Sequence, residues 1–170
     1  MLDSESPFTR TAMEGLRALV CGASKGIGRA TAKAFAEAGC KVILCSRDEE
    51  ELAGLCASLP GPGHSILSLD LENTAAVKVA VSALLEDGPI QVLVNNSAGP
   101  PGGLLLDSEI EDFEAPFKRH LHAAHTITKL LVPGMVEYGA GRIVNIISTS
   151  VREPIPNIGL SNTLRGAMAS

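Results

Sequence analysis

The run Leu16-Arg17-Ala18-Leu19-Val20-Cys21 stops at three glycines, Gly22, Gly26 and Gly28, and gives way to an alanine-rich segment reaching Ala38. An apolar run that breaks into a GxxxGxG turn and then turns helical reads as a buried strand, a tight turn and a helix N-terminus. Each glycine has its own task in such a turn. Gly22 permits the sharp exit from the strand, Gly26 lets a phosphate approach the backbone, and Gly28 lets helix and strand pack closely. The helix would aim its positive end at the turn, with Ile27, Phe35 and Ala38 on one side. A glycine turn of this kind also occurs without a ligand, so the rest of the chain has to decide its meaning.

Further apolar runs lie at 41–45, 66–71, 90–94 and 142–147, alternating with helical patterns at 27–38, 48–58, 74–85 and a long one from Ile110 to Tyr138 interrupted by Pro116 and Pro133. Continuous apolar strands separated by helices require a parallel sheet covered on both faces. The expected fold class is therefore α/β, a doubly wound Rossmann sheet with five strands ordered 3-2-1-4-5. Residues 1–12 are polar and aperiodic and read as a flexible lead, and residues 13–170 as one dinucleotide-binding domain. Ligands of such sheets sit beyond the carboxyl ends of the strands, where the winding reverses. That rule selects the loops 22–28, 46–48, 70–73 and 95–103, with 148–156 bordering the same cleft.

Charge narrows the partners. The formal net charge of -5 opposes binding to nucleic acid or an anionic membrane surface. No apolar run has the length of a membrane span and Met1–Arg10 is polar, so a cytoplasmic location is expected. The four cysteines have no CxxC spacing; Cys40 and Cys45 are an odd number of positions apart and should face opposite sides of a strand. Buried free thiols are expected, and no metal site. His122 and His125 lack a metal-ligand pattern and read as helix surface.

Four ordered segments, Cys21-Gly-Ala-Ser-Lys-Gly-Ile-Gly28, Leu69-Asp70-Leu71, Val94-Asn-Asn-Ser-Ala-Gly99 and Gly141-Arg-Ile-Val-Asn-Ile-Ile-Ser148, resemble the motifs of short-chain dehydrogenases/reductases from Gly15 to the C-terminus. The resemblance implies that Gly22, Ser24, Gly26, Ile27 and Gly28 wrap a pyrophosphate and that Asp70 and Leu71 hold an adenine. It implies as well that Asn95, Asn96, Ala98 and Gly99 line the ribose and brace the fourth strand. For NAD an acidic side chain is expected at the end of the second strand. Ser46 and Arg47 stand there instead. A serine does not repel a 2'-phosphate, whereas Arg47 and Lys25 pair with one, so NADP(H) is expected in preference to NAD(H). The segment Asn95-Asn-Ser-Ala-Gly-Pro-Pro departs from the family's Asn-Asn-Ala-Gly, either by a serine insertion or by two substitutions.

The family reduces a carbonyl with a serine, a tyrosine, a lysine and an asparagine. Ser148 matches the serine. The tyrosine and lysine positions fall on Ser161 and Arg165, and the asparagine position on His120. Tyr138, the only tyrosine, lies at the far end of the long helix. A serine hydroxyl is too weak an acid to replace a tuned phenol, a guanidinium is not a proton shuttle, and His120 is the one replacement acid in the useful pKa range. The Ser161-Asn-Thr-Leu-Arg165 pattern resembles a divergent subgroup catalogued as 3-oxoacyl-acyl-carrier-protein-reductase-like. Three readings follow. The first is an NADP(H)-dependent oxidoreductase acting on a ketone or secondary alcohol, the second a silent dinucleotide-binding or partner-binding protein, and the third a truncated fragment that folds poorly and has no independent activity. With five strands where such domains have about six, the pattern also suggests a C-terminally short copy whose last strand is an exposed edge, and the helix Ile110–Tyr138 is a candidate oligomer surface.

Overall fold

The computed structural model describes residues 11–170; of the expected flexible lead, all but Thr11 and Ala12 lies outside the described residues. Five parallel strands, β1 (Arg17–Cys21), β2 (Lys41–Ser46), β3 (Ser65–Ser68), β4 (Val92–Asn95) and β5 (Arg142–Asn145), form one sheet in the order β3-β2-β1-β4-β5. This is the doubly wound order expected from the alternation of apolar runs and helices. Leu19 of β1 stands beside Ile43 on one side and Leu93 on the other, so the strand ends are level and their following loops meet along one edge.

Successive side chains of a strand point to opposite faces, and here each face is covered by helices. Ala18, Val20, Val42 and Leu44 pack against α1 (Gly26–Glu37) and α2 (Glu49–Ser58). Leu19, Cys21, Ile43 and Leu93 pack against α3 (Thr74–Glu86) and α5 (Ala123–Tyr138). Cys40 belongs to the first cluster and Cys45 to the second, as the odd spacing predicts, and all four cysteines are free. Burial pushes the Cys40 thiol up to about 11, so it behaves as a small apolar group.

Two local expectations are corrected. Ile27 does not join the buried side of α1: it is 59% exposed, and the covered stripe is Gly28, Ala32 and Ala36. Small residues occupy that stripe because the helix lies close on the sheet, and Ile27 projects from the first turn. The second correction concerns the segment from Ile110 to Tyr138. It comprises a 3-10 turn (Ile110–Phe113), a four-residue α4 (Glu114–Phe117), a π-helical turn (Lys118–His122) and α5. Pro133 lies within α5 without ending it, whereas Pro116 belongs to the short α4 that runs into the π turn. An inserted residue in a helical turn re-aims the side chains after it. At the far end, Gly139 closes α5 with φ of 82°, and Tyr138 is exposed there, remote from the strand carboxyl ends.

β5 is the sheet edge, with all four of its residues exposed. Its tie to the sheet includes a side-chain bond, the Asn95 amide donating to Asn145 Oδ1 at 2.8 Å. No helix among the described residues is long and apolar enough to cross a membrane.

Candidate functional site

The glycine turn after β1 is shaped by contacts that leave no room for side chains. Gly22 has φ of 62° and Gly26 φ of 54°, and a Cβ at Gly28 would stand 2.2 Å from the Gly22 carbonyl oxygen. A Cβ at Gly22 would meet Asn96 Nδ2 at 2.6 Å; that amide donates to the carbonyls of Cys21 and Gly22 at 3.3 Å each. The turn is thereby stapled to the loop after β4. At its end Lys25 precedes α1 in extended conformation, and no side chain caps the helix. The first N–H groups of α1 are thus unclaimed by a cap and available to an anion.

Beyond the strand ends lies a cleft of about 400 Å³. It is lined by Gly22, Ser24 and Lys25 from the first loop, Ser46, Arg47 and Asp48 from the second, Leu69, Asp70 and Leu71 from the third, and Asn96, Ser97, Ala98 and Arg119 opposite. Four loops distant in sequence meet here because their strands are neighbours. Lys25 and Arg47 are exposed, and neither takes part in an ion pair among the described residues. Asp48 is the acidic group nearest to them in sequence, yet its Oδ1 accepts from the Glu51 N–H at 3.1 Å and caps α2. Asp70 accepts from the Glu72 N–H at 3.0 Å, which fixes the turn after β3. The cleft therefore offers an anionic ligand space, donors at a helix end, and two cations at one rim that are unpaired among the described residues.

Not all the expected residues reach this space. Gly26 and Ile27 are exposed at the entry of α1, and Gly28 is buried beneath the turn. Asn95 is buried and spends its amide on Asn145. Gly99 faces α6 (Gly159–Ala169): a Cβ there would be 3.8 Å from an Arg165 guanidinium nitrogen and 4.0 Å from Ser161 Oγ. Ser161 and Arg165 are thus brought against the end of the loop after β4. Arg165 donates to the Ile146 carbonyl at 2.8 Å and to the Ser97 carbonyl at 3.5 Å, bridging the ends of β5 and β4. Ser148, at the exit of β5, accepts from the Ser150 N–H at 3.1 Å and opens a 3-10 turn.

His120 lies buried beneath the loop after β4. It is 4% exposed, with Nδ1 2.7 Å from Ser97 Oγ and Nε2 without a partner. Burial first, then the positive charges of Arg165 and Arg119, lower its pKa to about 4, with the Ala98 backbone opposing. Near neutral pH it is an uncharged imidazole locked under the loop. The space it lines, about 10 Å³, admits nothing larger than a water molecule. Its Nδ1 meets the Ser97 hydroxyl, and the ring is not among the side chains that line the larger cleft. His122 and His125 are exposed on the helix surface, and no cluster of metal ligands occurs among the described residues.

Residues 17–161 match the family model for short chain dehydrogenase. The chain belongs to the short chain dehydrogenase family. Among the similar proteins of this family are L-xylulose reductase of Mesocricetus auratus, 34% identical over 157 residues, and carbonyl reductase [NADPH] 2 of Sus scrofa, 34% identical over 155. These alignments take in 92% and 91% of this chain and 62% of each relative. The solved L-sorbose reductase of Gluconobacter frateurii, complexed with NADPH and L-sorbose, superposes with a TM-score of 0.88 at 25% identity, covering 94% of this chain and 62% of that one. The chain spans between 52% and 62% of the length of the first curated relatives it matches.

Arg119 alone among the cleft-lining residues lies outside the loops and motifs that the sequence selects, while Asp48 and Ser97 fall within loops 46–48 and 95–103. Arg119 projects from the π turn into the cleft wall, donates to the Ala98 carbonyl at 3.2 Å and is paired with Glu72. Asp48 and Ser97 line the same space. The capping position of Asp48 ahead of three glutamates was a readable signal; nothing in the sequence announced that Arg119 would meet Glu72.

Proposed function

We propose that this protein is an NADP(H)-dependent oxidoreductase that interconverts a ketone and a secondary alcohol, 3-oxoacyl compounds among them. The observation that carries the reading is the cleft rim. Lys25 and Arg47 line it without an ion-pair partner among the described residues, no acidic side chain stands at the end of β2, and Asp48 is committed to the α2 cap. A 2'-phosphate finds two cations there, and nothing that would bond a free 2'-hydroxyl as an acid does. The relatives named for NADPH, a carbonyl reductase and a sorbose reductase solved with it, support the same preference.

The bound nicotinamide supplies or accepts the hydride. This chain's residues do the rest. The uncapped N-terminus of α1 and the Gly22 turn hold the pyrophosphate, Asp70 and Leu71 bracket the adenine, and Asn96 and Ala98 line the ribose. Ser148 hydrogen-bonds the substrate oxygen and polarises it, and Arg165, a cation whose pKa burial lowers, holds the nicotinamide ribose. Ser161 positions the oxygen without supplying a proton, which solvent provides. Small-molecule carbonyls or alcohols are the substrates. The exposed apolar side chains Val132, Val136 and Tyr138 of α5 support association of copies through that helix.

One set of observations favours a second reading, a protein that binds the nucleotide and does not turn over. Arg165 donates to two carbonyls, and His120 is neutral and enclosed. Loss of a general acid costs roughly 10²- to 10⁴-fold, so the two readings differ in rate rather than in binding. NADPH oxidation with a panel of ketones and 3-oxoacyl thioesters, with Ser148→Ala as control, separates them. Turnover well above the control supports the reductase; NADPH-induced thermal stabilisation with turnover equal to the control supports the silent binder.

A further inference from the structure

The loop after β4 is the one segment of the site held from every side. Asn96 ties it to the glycine turn, Arg119 holds the Ala98 carbonyl, Arg165 holds the Ser97 carbonyl, and the Ser97 hydroxyl meets His120 Nδ1 at 2.7 Å. The first three contacts use backbone carbonyls or an amide that any sequence of similar shape could offer. The fourth needs two particular side chains, and both stand where this sequence departs from the family pattern. Ser97 also lines the nucleotide cleft, whereas His120 is not among the residues lining it.

We infer that Ser97 and His120 are a positioning pair: the buried imidazole holds the Ser97 hydroxyl away from the cleft and sets the loop so that Asn96 and Ala98 present themselves to the nucleotide. The inference rests on the nucleotide-binding reading above. Its physical basis is directional. Nε2 has no protein partner, so the ring is oriented chiefly by the bond at Nδ1 and by packing around it. A serine released from that bond turns to the cleft, and of the two side-chain ties between the loop and the π turn only the one from Arg119 to the Ala98 carbonyl remains. His120 therefore acts through Ser97, and the two departures compensate each other, neither being an isolated loss.

The test is a double-mutant cycle read in NADPH affinity, by calorimetric titration, with thermal stability measured alongside. Ser97→Ala and His120→Phe are each expected to weaken NADPH binding by about threefold to tenfold, the range of one hydrogen bond. The double variant is expected to be no weaker than the worse single one. Ser97→Thr, which keeps the hydroxyl, should retain wild-type affinity. In addition, the imidazole ¹⁵N signals of His120 should shift in Ser97→Ala and stay in place in Ser97→Thr. Additive losses, or a fall in stability with unchanged affinity, would overturn the pairing while leaving nucleotide binding intact. Absence of NADPH binding by the wild-type protein would instead overturn the reading beneath it. Should His120→Phe fail to fold, the contrast between the two Ser97 variants, in affinity and in the ¹⁵N signals, decides the question alone.

Discussion

A Cβ added to Gly28 would lie 2.2 Å from the carbonyl oxygen of Gly22, closer than any real side chain approaches a backbone oxygen. The turn and the first residues of α1 are thus in direct backbone contact, which is what lets four strand-end loops close around one cleft. Gly26 offers a contrast, because a Cβ there meets nothing within 4 Å and the cost is only its φ of 54°. Gly28→Ala should destabilise the fold by about 1–3 kcal/mol or more through overpacking, and abolish NADPH-induced stabilisation. Gly26→Ala should cost about 1 kcal/mol. Urea denaturation of the two variants checks the ranking; equal costs would contradict it.

The cations at the cleft rim make a separate prediction. Charge reversal of either, Lys25→Glu or Arg47→Glu, places a carboxylate where the 2'-phosphate is expected. NADPH affinity should fall by tenfold or more, about 1.4 kcal/mol, and the loss should shrink at high salt because both residues are exposed. NADH affinity should change little. Titration of each variant with both nucleotides, at low and high salt, provides the check.

His120 links stability to pH. Its pKa is held down to about 4 in the folded protein against about 6.5 in the unfolded chain. Between those values the unfolded state binds the extra proton, so this residue's contribution is complete above about pH 6.5 and is lost as pH falls toward 4. The groups that face it are Arg165 and Arg119, both cations throughout this range, so the window belongs to His120 itself. The expected loss is on the order of 3 kcal/mol over the window. Comparing denaturation at pH 7, 5.5 and 4.5 for wild type and His120→Phe isolates it: the variant should lose much of the slope.

Across the sheet edge, the Asn95 amide and Asn145 Oδ1 form the one side-chain bond between β4 and β5 recorded among the described residues. Asn95→Ala leaves Asn145 without that partner and should cost about 1–2 kcal/mol. Amide exchange of Ile143 to Asn145 should quicken while exchange in β1 is unaffected, since β5 is the exposed edge. Uniform acceleration of all strands would contradict the local role.

Much of this architecture could be read from spacing. The glycine turn, the five strand runs and their order, the opposite placement of Cys40 and Cys45, and the meeting of loops 22–28, 46–48, 70–73 and 95–99 all follow from strand periodicity and parallel winding. The misreadings share a cause. The exposure of Ile27 and the π turn at Lys118–His122 depend on how close one element lies to another, which a local pattern does not encode. Arg119, within that π turn, meets Glu72 across 47 positions of sequence. Arg165 bonds the carbonyls of Ile146 and Ser97 because α6 folds back on Gly99, a contact between residues far apart in sequence.

The central claim is that the cleft between the glycine turn and Arg47 is built for a nucleotide bearing a 2'-phosphate. Titration of the purified wild-type protein with NADPH and with NADH, under one buffer and salt condition, tests it most directly. Saturable NADPH binding at least tenfold tighter than NADH binding is the predicted result, and binding of neither nucleotide, or tighter binding of NADH, would contradict it.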